Sequence, residues 1–207
     1  FIATSLWMLH LHNAPSEGMP PLVNQIHKHT EKGQKLTVFL KEGSKVILNS
    51  AAGITYPEIF SDTCRLVKLN GEAFFEVAKN PDQPFLVQAG NVEIRVLGTS
   101  FNVNHDNEAV EVALVSGKVQ LDPDLNTSGE QFILNPGEAA NVNLISRKYQ
   151  KSKFDILEKT GWKEGKLIFQ KARFEEIMHR LELWYGVNFE LENSQFIDDT
   201  LHYSGEF

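Results

Sequence analysis

Residues 69–77 read Leu-Asn-Gly-Glu-Ala-Phe-Phe-Glu-Val, an alternating strand pattern with one glycine, Gly71, inside it. A glycine within a strand pattern marks a bulge or a tight bend, because it accepts positive φ angles without a Cβ clash. Four further segments have this design at unequal spacing, with glycines Gly43, Gly98, Gly117 and Gly137. The series predicts an all-β body whose strands bend or change sheet at each glycine, and a β-sandwich, a jelly roll or a β-roll fits it.

The periodicity changes in the last quarter of the chain. Lys166–Gln170 is predicted as a short strand and Ala172–Tyr185 as an amphipathic helix, with Gly186 as its C-terminal cap. Val187–Leu191 alternates as a strand, and another strand begins at Leu201. The predicted fold class is therefore mainly β: a bent-strand β-sandwich or β-roll body, followed by a small, incomplete α+β module in the order strand, helix, strand, strand.

Several segments lack a clear strand or helix pattern. His27–Lys35 is polar and is predicted as a turn, and 146–160 is predicted as a charged connector. Phe1–Leu11 is almost entirely apolar, but at about 1.5 Å per residue it covers only about half of the ~30 Å needed to cross a bilayer. It fits either the last turns of a membrane-spanning helix or a short strand or helix packed on the domain.

The composition restricts the class of function. The 207 residues are 42% hydrophobic and 23% charged, as expected for a folded protein with a substantial core. The formal net charge of −7 argues against a nucleic-acid binder and against adhesion to an anionic membrane, since both reward basic faces. The single cysteine, Cys64, excludes an intramolecular disulfide and a zinc site built on several cysteines, and we expect it to be a buried thiol.

Residues that could carry chemistry are few and scattered. Two His-x-His pairs have the spacing at which both rings share a strand face, but no third ligand lies at a suitable offset. The paired carboxylates lie in loops, and the sequence has neither a nucleophile elbow nor a phosphate-binding glycine loop. The sequence therefore predicts no catalytic residue, no cofactor, no metal and no enzyme; the alternative is a jelly-roll, cupin-like enzyme or a carbohydrate-binding module. The pairs considered are His10/His12, His27/His29, Asp122/Asp124 and Asp198/Asp199.

Several stretches between residues 36 and 207 resemble the FecR family of periplasmic signalling regulators. The most specific is Val96-Leu97-Gly98-Thr99-Ser100-Phe101-Asn102-Val103, with its neighbours in the family's order. Downstream, Trp162–Phe169 and the following helix resemble the start of the short domain shared with secretins and TonB-dependent receptors. The other matching stretches are 42–49, 56–57, 71–78, 84–87, 112–119, 134–138 and 203–207.

The resemblance implies the periplasmic part of a single-pass inner-membrane protein. Such proteins bind an extracytoplasmic-function (ECF) sigma factor through a cytoplasmic segment, which this chain lacks. They receive a signal from the N-terminal signalling domain of an outer-membrane TonB-dependent transporter, without catalysis and without nucleic acid. The expected division is a membrane-proximal segment and linker at 1–21, a FecR-like β domain at 22–150 and a partial short-domain-like α+β module at 151–207, with Phe1–Leu11 as the tail of the spanning helix.

A small strand–helix–strand module leaves sheet edges that can accept a partner's strand. Backbone hydrogen bonds then supply affinity, and pockets for alternate side chains supply specificity. We predict that Lys166–Gln170 or Val187–Leu191 presents such an edge. The predicted partner-binding residues are Leu167, Phe169, Val187 and Phe189.

Overall fold

The computed structural model describes residues 24–125, 131–190 and 202–207, and its fold is mainly β, as predicted. In this described part of the chain, one curled sheet of 13 strands forms the body. Its strands are β1 (Gln25–His29), β2 (Leu36–Phe39), β3 (Lys45–Leu48), β4 (Gly53–Pro57), β5 (Arg65–Glu76), β6 (Phe85–Ala89), β7 (Val92–Val96), β8 (Ser100–His105), β9 (Ala109–Ser116), β10 (Val119–Asp122), β11 (Phe132–Leu134), β12 (Glu138–Asn143) and β13 (Tyr149–Lys153).

The long strand β5 belongs to both halves of the curled sheet. Its residues 65–69 pair with parallel β6, and residues 68–70 pair with antiparallel β4. Residues 71–76 pair with antiparallel β8, and 73–76 also with β3. The first layer therefore contains β1, β4, β6, β7, β10 and β11, and the second layer contains β2, β3, β8, β9, β12 and β13.

The core lies between the two layers. Alternate side chains along β5 point inward and are buried, as the period of two requires. Phe75 from the second layer stacks on Phe101, with ring centroids 5.1 Å apart. It also meets Phe85 from the first layer edge-on at 6.2 Å, so aromatic contacts join the layers at their centre.

Gly71 lies where β5 changes its partners. Its φ angle is +81°, in the left-handed region, and its side-chain position faces the backbone of Ala52. A Cβ at this position would lie 2.8 Å from the Ala52 Cα and 3.0 Å from the Ala51 carbonyl oxygen. The predicted bend is confirmed, and it requires glycine both for its backbone angle and for the close approach of a neighbouring chain segment.

The C-terminal module follows β13 and has its own small core. It contains α1 (Ile156–Thr160), a 3-10 turn (Gly161–Glu164), β14 (Ile168–Ala172), α2 (Phe174–Tyr185) and β15 (Tyr203–Glu206). The predicted C-terminal cap of α2 is confirmed: Gly186 has φ +68° and donates its N–H to the Glu182 carbonyl. The buried face of β14 packs on the apolar stripe of α2 through Leu167, Phe169, Ala172, Ile177, Leu181 and Trp184.

Two segments predicted without regular structure contain strands. The first strand, β1, extends into the start of the segment predicted as a turn, at residues 27–29, and it pairs with β4. It is an edge strand on which only Ile26 packs against the core, so its sequence shows no apolar alternation. The predicted connector 146–160 contains β13 and α1. All five residues of β13 are exposed, because it is also an edge strand. Its sequence, which includes two lysines, therefore shows no alternation of apolar and polar residues.

The predicted strand Val187–Leu191 is wrong for its described residues, 187–190, which form no strand. The Val187 N–H donates to the Glu182 carbonyl and the Phe189 N–H donates to the Glu182 carboxylate, so these donors turn back to the end of α2. The predicted strand Lys166–Gln170 forms two residues later, as Ile168–Ala172. The thiol of Cys64 is partly exposed rather than buried.

The membrane-proximal prediction concerns residues outside the described part of the chain. Phe1–Leu11, His10/His12 and Asp198/Asp199 all lie there. In residues 24–125, 131–190 and 202–207, no helix combines the length and the hydropathy needed to span a bilayer.

Replacement of Gly71 by alanine tests the bend. We expect the free energy of unfolding to fall by about 3 kcal/mol, of which about 1–2 kcal/mol reflects the left-handed backbone and the rest the displaced Ala52 backbone. Gly137→Ala is a matched control, because its φ is +83° and nothing lies within 4 Å of its Cβ position. Urea denaturation of both variants measures the difference. Equal losses would show that the close approach to Ala52 does not constrain the fold.

Candidate functional site

The four predicted partner-binding residues do not share one surface. Leu167 and Phe169 are 3% and 2% exposed and form the core beneath β14. Val187 and Phe189 are 42% and 43% exposed and follow the end of α2. The first pair can therefore contribute to an interface by holding the strand in place, whereas the second pair offers apolar side chains directly to solvent.

The ribbon formed by β14 and β15 has one edge that presents backbone groups. Leu167 and Phe207 exchange both backbone hydrogen bonds at 2.9 Å, and Ile168 lies opposite Glu206. In an antiparallel pair the hydrogen-bonded positions alternate, so the backbone groups of Ser204 and Glu206 point away from β14. All four residues of β15 are exposed. Within the described residues, the outer edge of β15 pairs with no strand.

The opposite edge of the ribbon is partly capped by Arg180 of α2. Its Nη2 donates to the Ile168 carbonyl at 3.0 Å, and its guanidinium lies 4.4 Å from the centre of the Phe169 ring. This side chain occupies one acceptor that an added strand at β14 would need. Within the described residues, the outer edge of β15 is therefore the ribbon edge that carries no such cap.

One end of the module is attached to the body through the C-terminus of α2. The last carbonyls of a helix have no partner within the helix. The Leu183 carbonyl is one of these, and it accepts from the Gly33 N–H at 2.9 Å and from the Ser50 hydroxyl at 2.5 Å. Beside it, the Lys35 ammonium lies 3.6 Å from the centre of the Trp184 ring. The turn between β1 and β2 thus binds a helix carbonyl that the Gly186 cap does not use.

A second attachment passes through a row of polar side chains, of which Asn102 is buried and Glu72 and Asn49 are partly buried. Trp162, which is buried, donates from Nε1 to the Asn102 amide oxygen at 3.2 Å. The Asn102 amide nitrogen donates to one oxygen of Glu72 at 2.7 Å, and Asn49 donates to the other oxygen at the same distance. The carboxylate next to the bend of β5 is therefore tied to the module by hydrogen bonds between side chains.

Burial raises the pKa of Glu72. The hydrogen bonds from Asn102 and Asn49 oppose this shift, as does the positive charge of Arg180, while the charge of Glu111 adds to it. A second tie closes the same side of the module, because the Lys159 ammonium lies 2.8 Å from the Glu111 carboxylate. The two modules thus meet across a contact rich in charged and amide groups.

Sequence reasoning did not single out Glu72, Asn102 or Arg180. Their partners are distant along the chain: 30 residues separate Glu72 from Asn102, and 60 separate Asn102 from Trp162. Their strands, β5 and β8, contain several other polar residues, so the sequence carries no signal that distinguishes Glu72 and Asn102. Trp162, at the other end of this row, is buried.

The histidine and carboxylate pairs that are described do not converge on a ligand. His27 Nδ1 lies 2.9 Å from the Thr55 hydroxyl, and His29 lies 3.7 Å from Glu31. Asp124 is buried and lies 2.9 Å from Arg147. The described ranges hold no group of three or more His, Cys, Asp or Glu side chains that could bind a metal ion.

Comparisons with known proteins identify the class. Residues 28–120 match the family described as FecR protein, and residues 166–207 match the family described as FecR, C-terminal. Two crystal structures of a "putative anti-sigma factor" from Parabacteroides distasonis ATCC 8503, at 2.50 Å and 1.65 Å, are 30% identical to this chain with a TM-score of 0.78. Each alignment covers 88% of this chain and 84% of the other. No curated protein matches.

The fold and these matches define a mainly β protein with a second, smaller module that carries both FecR regions in order. The chain belongs to the FecR family.

Substitution of Asn102 by aspartate tests the link between bend and module. It keeps the acceptor for Trp162 but replaces the amide donor with a second carboxylate beside Glu72, so we expect a loss of about 3 kcal/mol in the free energy of unfolding at neutral pH. Asn104→Asp is the control on the same strand face, and its exposed position predicts a loss of about 1 kcal/mol or less. If chemical denaturation gave equal losses for the two variants, the row of hydrogen bonds from Glu72 to Trp162 would have no special role in stability.

The raised pKa of Glu72 also predicts a pH dependence. A group whose pKa is higher in the folded state contributes stability that is complete below its unfolded pKa and is lost as pH rises through the folded pKa. We expect the free energy of unfolding of the wild type, relative to Glu72→Gln, to increase as pH falls from neutral to about 4.3. Urea titrations of both proteins at a series of pH values measure this difference in the free energy of unfolding. A difference that stays constant or decreases as the pH falls would contradict the raised pKa of Glu72.

Proposed function

We propose that this chain is the periplasmic part of a transmembrane sigma-factor regulator. In this proposal it relays a signal from an outer-membrane TonB-dependent transporter to a cytoplasmic ECF sigma factor by binding proteins, without catalysis. The observation that carries the proposal is that both FecR regions occur in order on one chain. Its fold is similar to that of the "putative anti-sigma factor" from Parabacteroides distasonis, with 30% sequence identity.

The proposed division of labour follows the two modules. Residues 22–150 form the FecR-like β domain, and 151–207 form the module that meets the transporter. Residues 1–21 are proposed to be membrane-proximal, which would place the β domain between the membrane and the partner. The sigma factor would bind a cytoplasmic segment that is not part of this sequence.

We propose that the transporter's signalling domain adds a strand to the outer edge of β15. The outward backbone groups of Ser204 and Glu206 would supply the hydrogen bonds, as in other cases of strand addition. Val187 and Phe189 are exposed apolar side chains of the same module, and they would add contact area. Leu167 and Phe169 would act indirectly, because their burial fixes β14 and therefore the position of β15.

Proline at position 206 tests this edge. Glu206→Pro removes an outward N–H without touching the bonds between Leu167 and Phe207, so the ribbon should still form. We expect this variant to bind the transporter's signalling domain about ten-fold or more weakly, because one backbone hydrogen bond is lost and the added strand can no longer approach closely. Isothermal titration calorimetry with the 207-residue chain measures the affinity.

Glu206→Ala is the matched control. It keeps the N–H and removes the exposed contact between Glu206 and Lys166, whose charged atoms lie 3.5 Å apart, so we expect nearly wild-type binding. Equal affinity of the proline and alanine variants would exclude the β15 edge. Absence of binding by the wild-type chain would reject the transporter relay itself.

A further inference from the structure

A cleft of about 790 Å³ separates α2 from the outer face of the second layer. Its floor is a row of polar residues that face one another across neighbouring strands: Glu72, Asn104, Glu111 and Asn141. Its roof is formed by the side of α2 that carries His179 and by Arg173, the residue just before the helix. The volume falls within the range of about 300–1,000 Å³ that is usual for small-molecule sites, which often lie between domains.

Four of the five carboxylates that line the cleft have internal partners. Glu72 accepts two amide hydrogen bonds, and Glu111 pairs with Lys159 at 2.8 Å. Asp106 accepts two backbone N–H groups, and Glu176 lies 3.5 Å from Arg180. For the fifth, Glu158, burial and the charges of Glu176 and Glu111 raise the pKa, and the charges of Lys159 and Arg180 oppose this shift.

Among the described residues, and apart from Glu158, the polar side chains of the cleft that lack a partner are cationic, imidazole or amide groups. In the part of the chain that the structure describes, the side chains of Arg173, His179, Asn104 and Asn141 make no hydrogen bond or ion pair, and all four are exposed. A guanidinium presents two parallel donors that match a carboxylate. The side-chain amides donate and accept, which suits hydroxyl groups.

We propose that this cleft binds a small carboxylate that also carries several hydroxyl groups, as sugar acids do. The carboxylate would lie against Arg173 at the start of α2, and the hydroxyl groups would bind Asn104 and Asn141 on the sheet. Such a ligand bridges the module and the body, so its binding strengthens the contact between them. This site is separate from the β15 edge and does not rest on the transporter relay.

Binding of glucuronate to the 207-residue chain tests the proposal. Two of the three tryptophans, Trp162 and Trp184, line the cleft, so fluorescence reports occupancy and calorimetry gives the affinity. We expect saturable binding that Arg173→Gln weakens about ten-fold or more. Lys171→Gln is the control, because Lys171 is an exposed cation nearby that does not line the cleft, and its affinity should equal that of the wild type.

Three further ligands separate the parts of the proposed chemistry. Glucose lacks the carboxylate, acetate lacks the hydroxyl groups, and inorganic phosphate is an anion without either arrangement. We expect the affinity for each of them to be at least about ten-fold lower than the affinity for glucuronate. If phosphate bound as tightly as glucuronate, the cleft would be a general anion site, and the proposal would be overturned. So would absence of saturable glucuronate binding, or an affinity that Arg173→Gln leaves unchanged.

Discussion

The fold depends on a single strand that serves two layers. Because β5 pairs with β4 and β6 before Gly71 and with β3 and β8 after it, neither layer can form without it. Ala52 fills the space inside the corner, so only a residue without a Cβ can turn there. The next residue, Glu72, then points to the outer face of the second layer. The same corner thus closes the sandwich and places a carboxylate under the C-terminal module.

The parallel pairing of β5 and β6 follows from this geometry. Two parallel strands need a long connection, usually a helix. Here the second half of β5 and the turn after it take that place, and the chain then returns to begin β6 beside Arg65. The Arg65 guanidinium is fully buried and donates to the carbonyls of Ala78 and Gln83, which fixes that turn. Burial lowers the pKa of Arg65, partly offset by Glu42 at 3.5 Å, so the turn is held by a charge that lies in the core.

The features that were predicted correctly from the sequence depend on residues close together in the chain. The bend at Gly71 and the cap at Gly186 both follow from positive φ angles, and α2 follows from its apolar stripe. The edge strands β1 and β13 were not predicted, because each buries at most one face and so lacks a clear alternation of apolar residues. The side-chain row from Glu72 to Trp162 was not predicted, because each of its hydrogen bonds joins residues far apart in sequence, and only the folded chain brings them together.

Arg180 connects the ribbon to the corner of β5. One nitrogen holds the Ile168 carbonyl of β14, the guanidinium covers the Phe169 ring, and its charge lowers the pKa of Glu72 against the effect of burial. A partner that shifted β14 would therefore move the cation that stabilises a partly buried carboxylate in the body. Because the Arg180 side chain is mostly shielded from solvent, salt screens this interaction less than it screens a surface pair. The ribbon and the body are coupled through this charge as well as through the two points at which the module is attached.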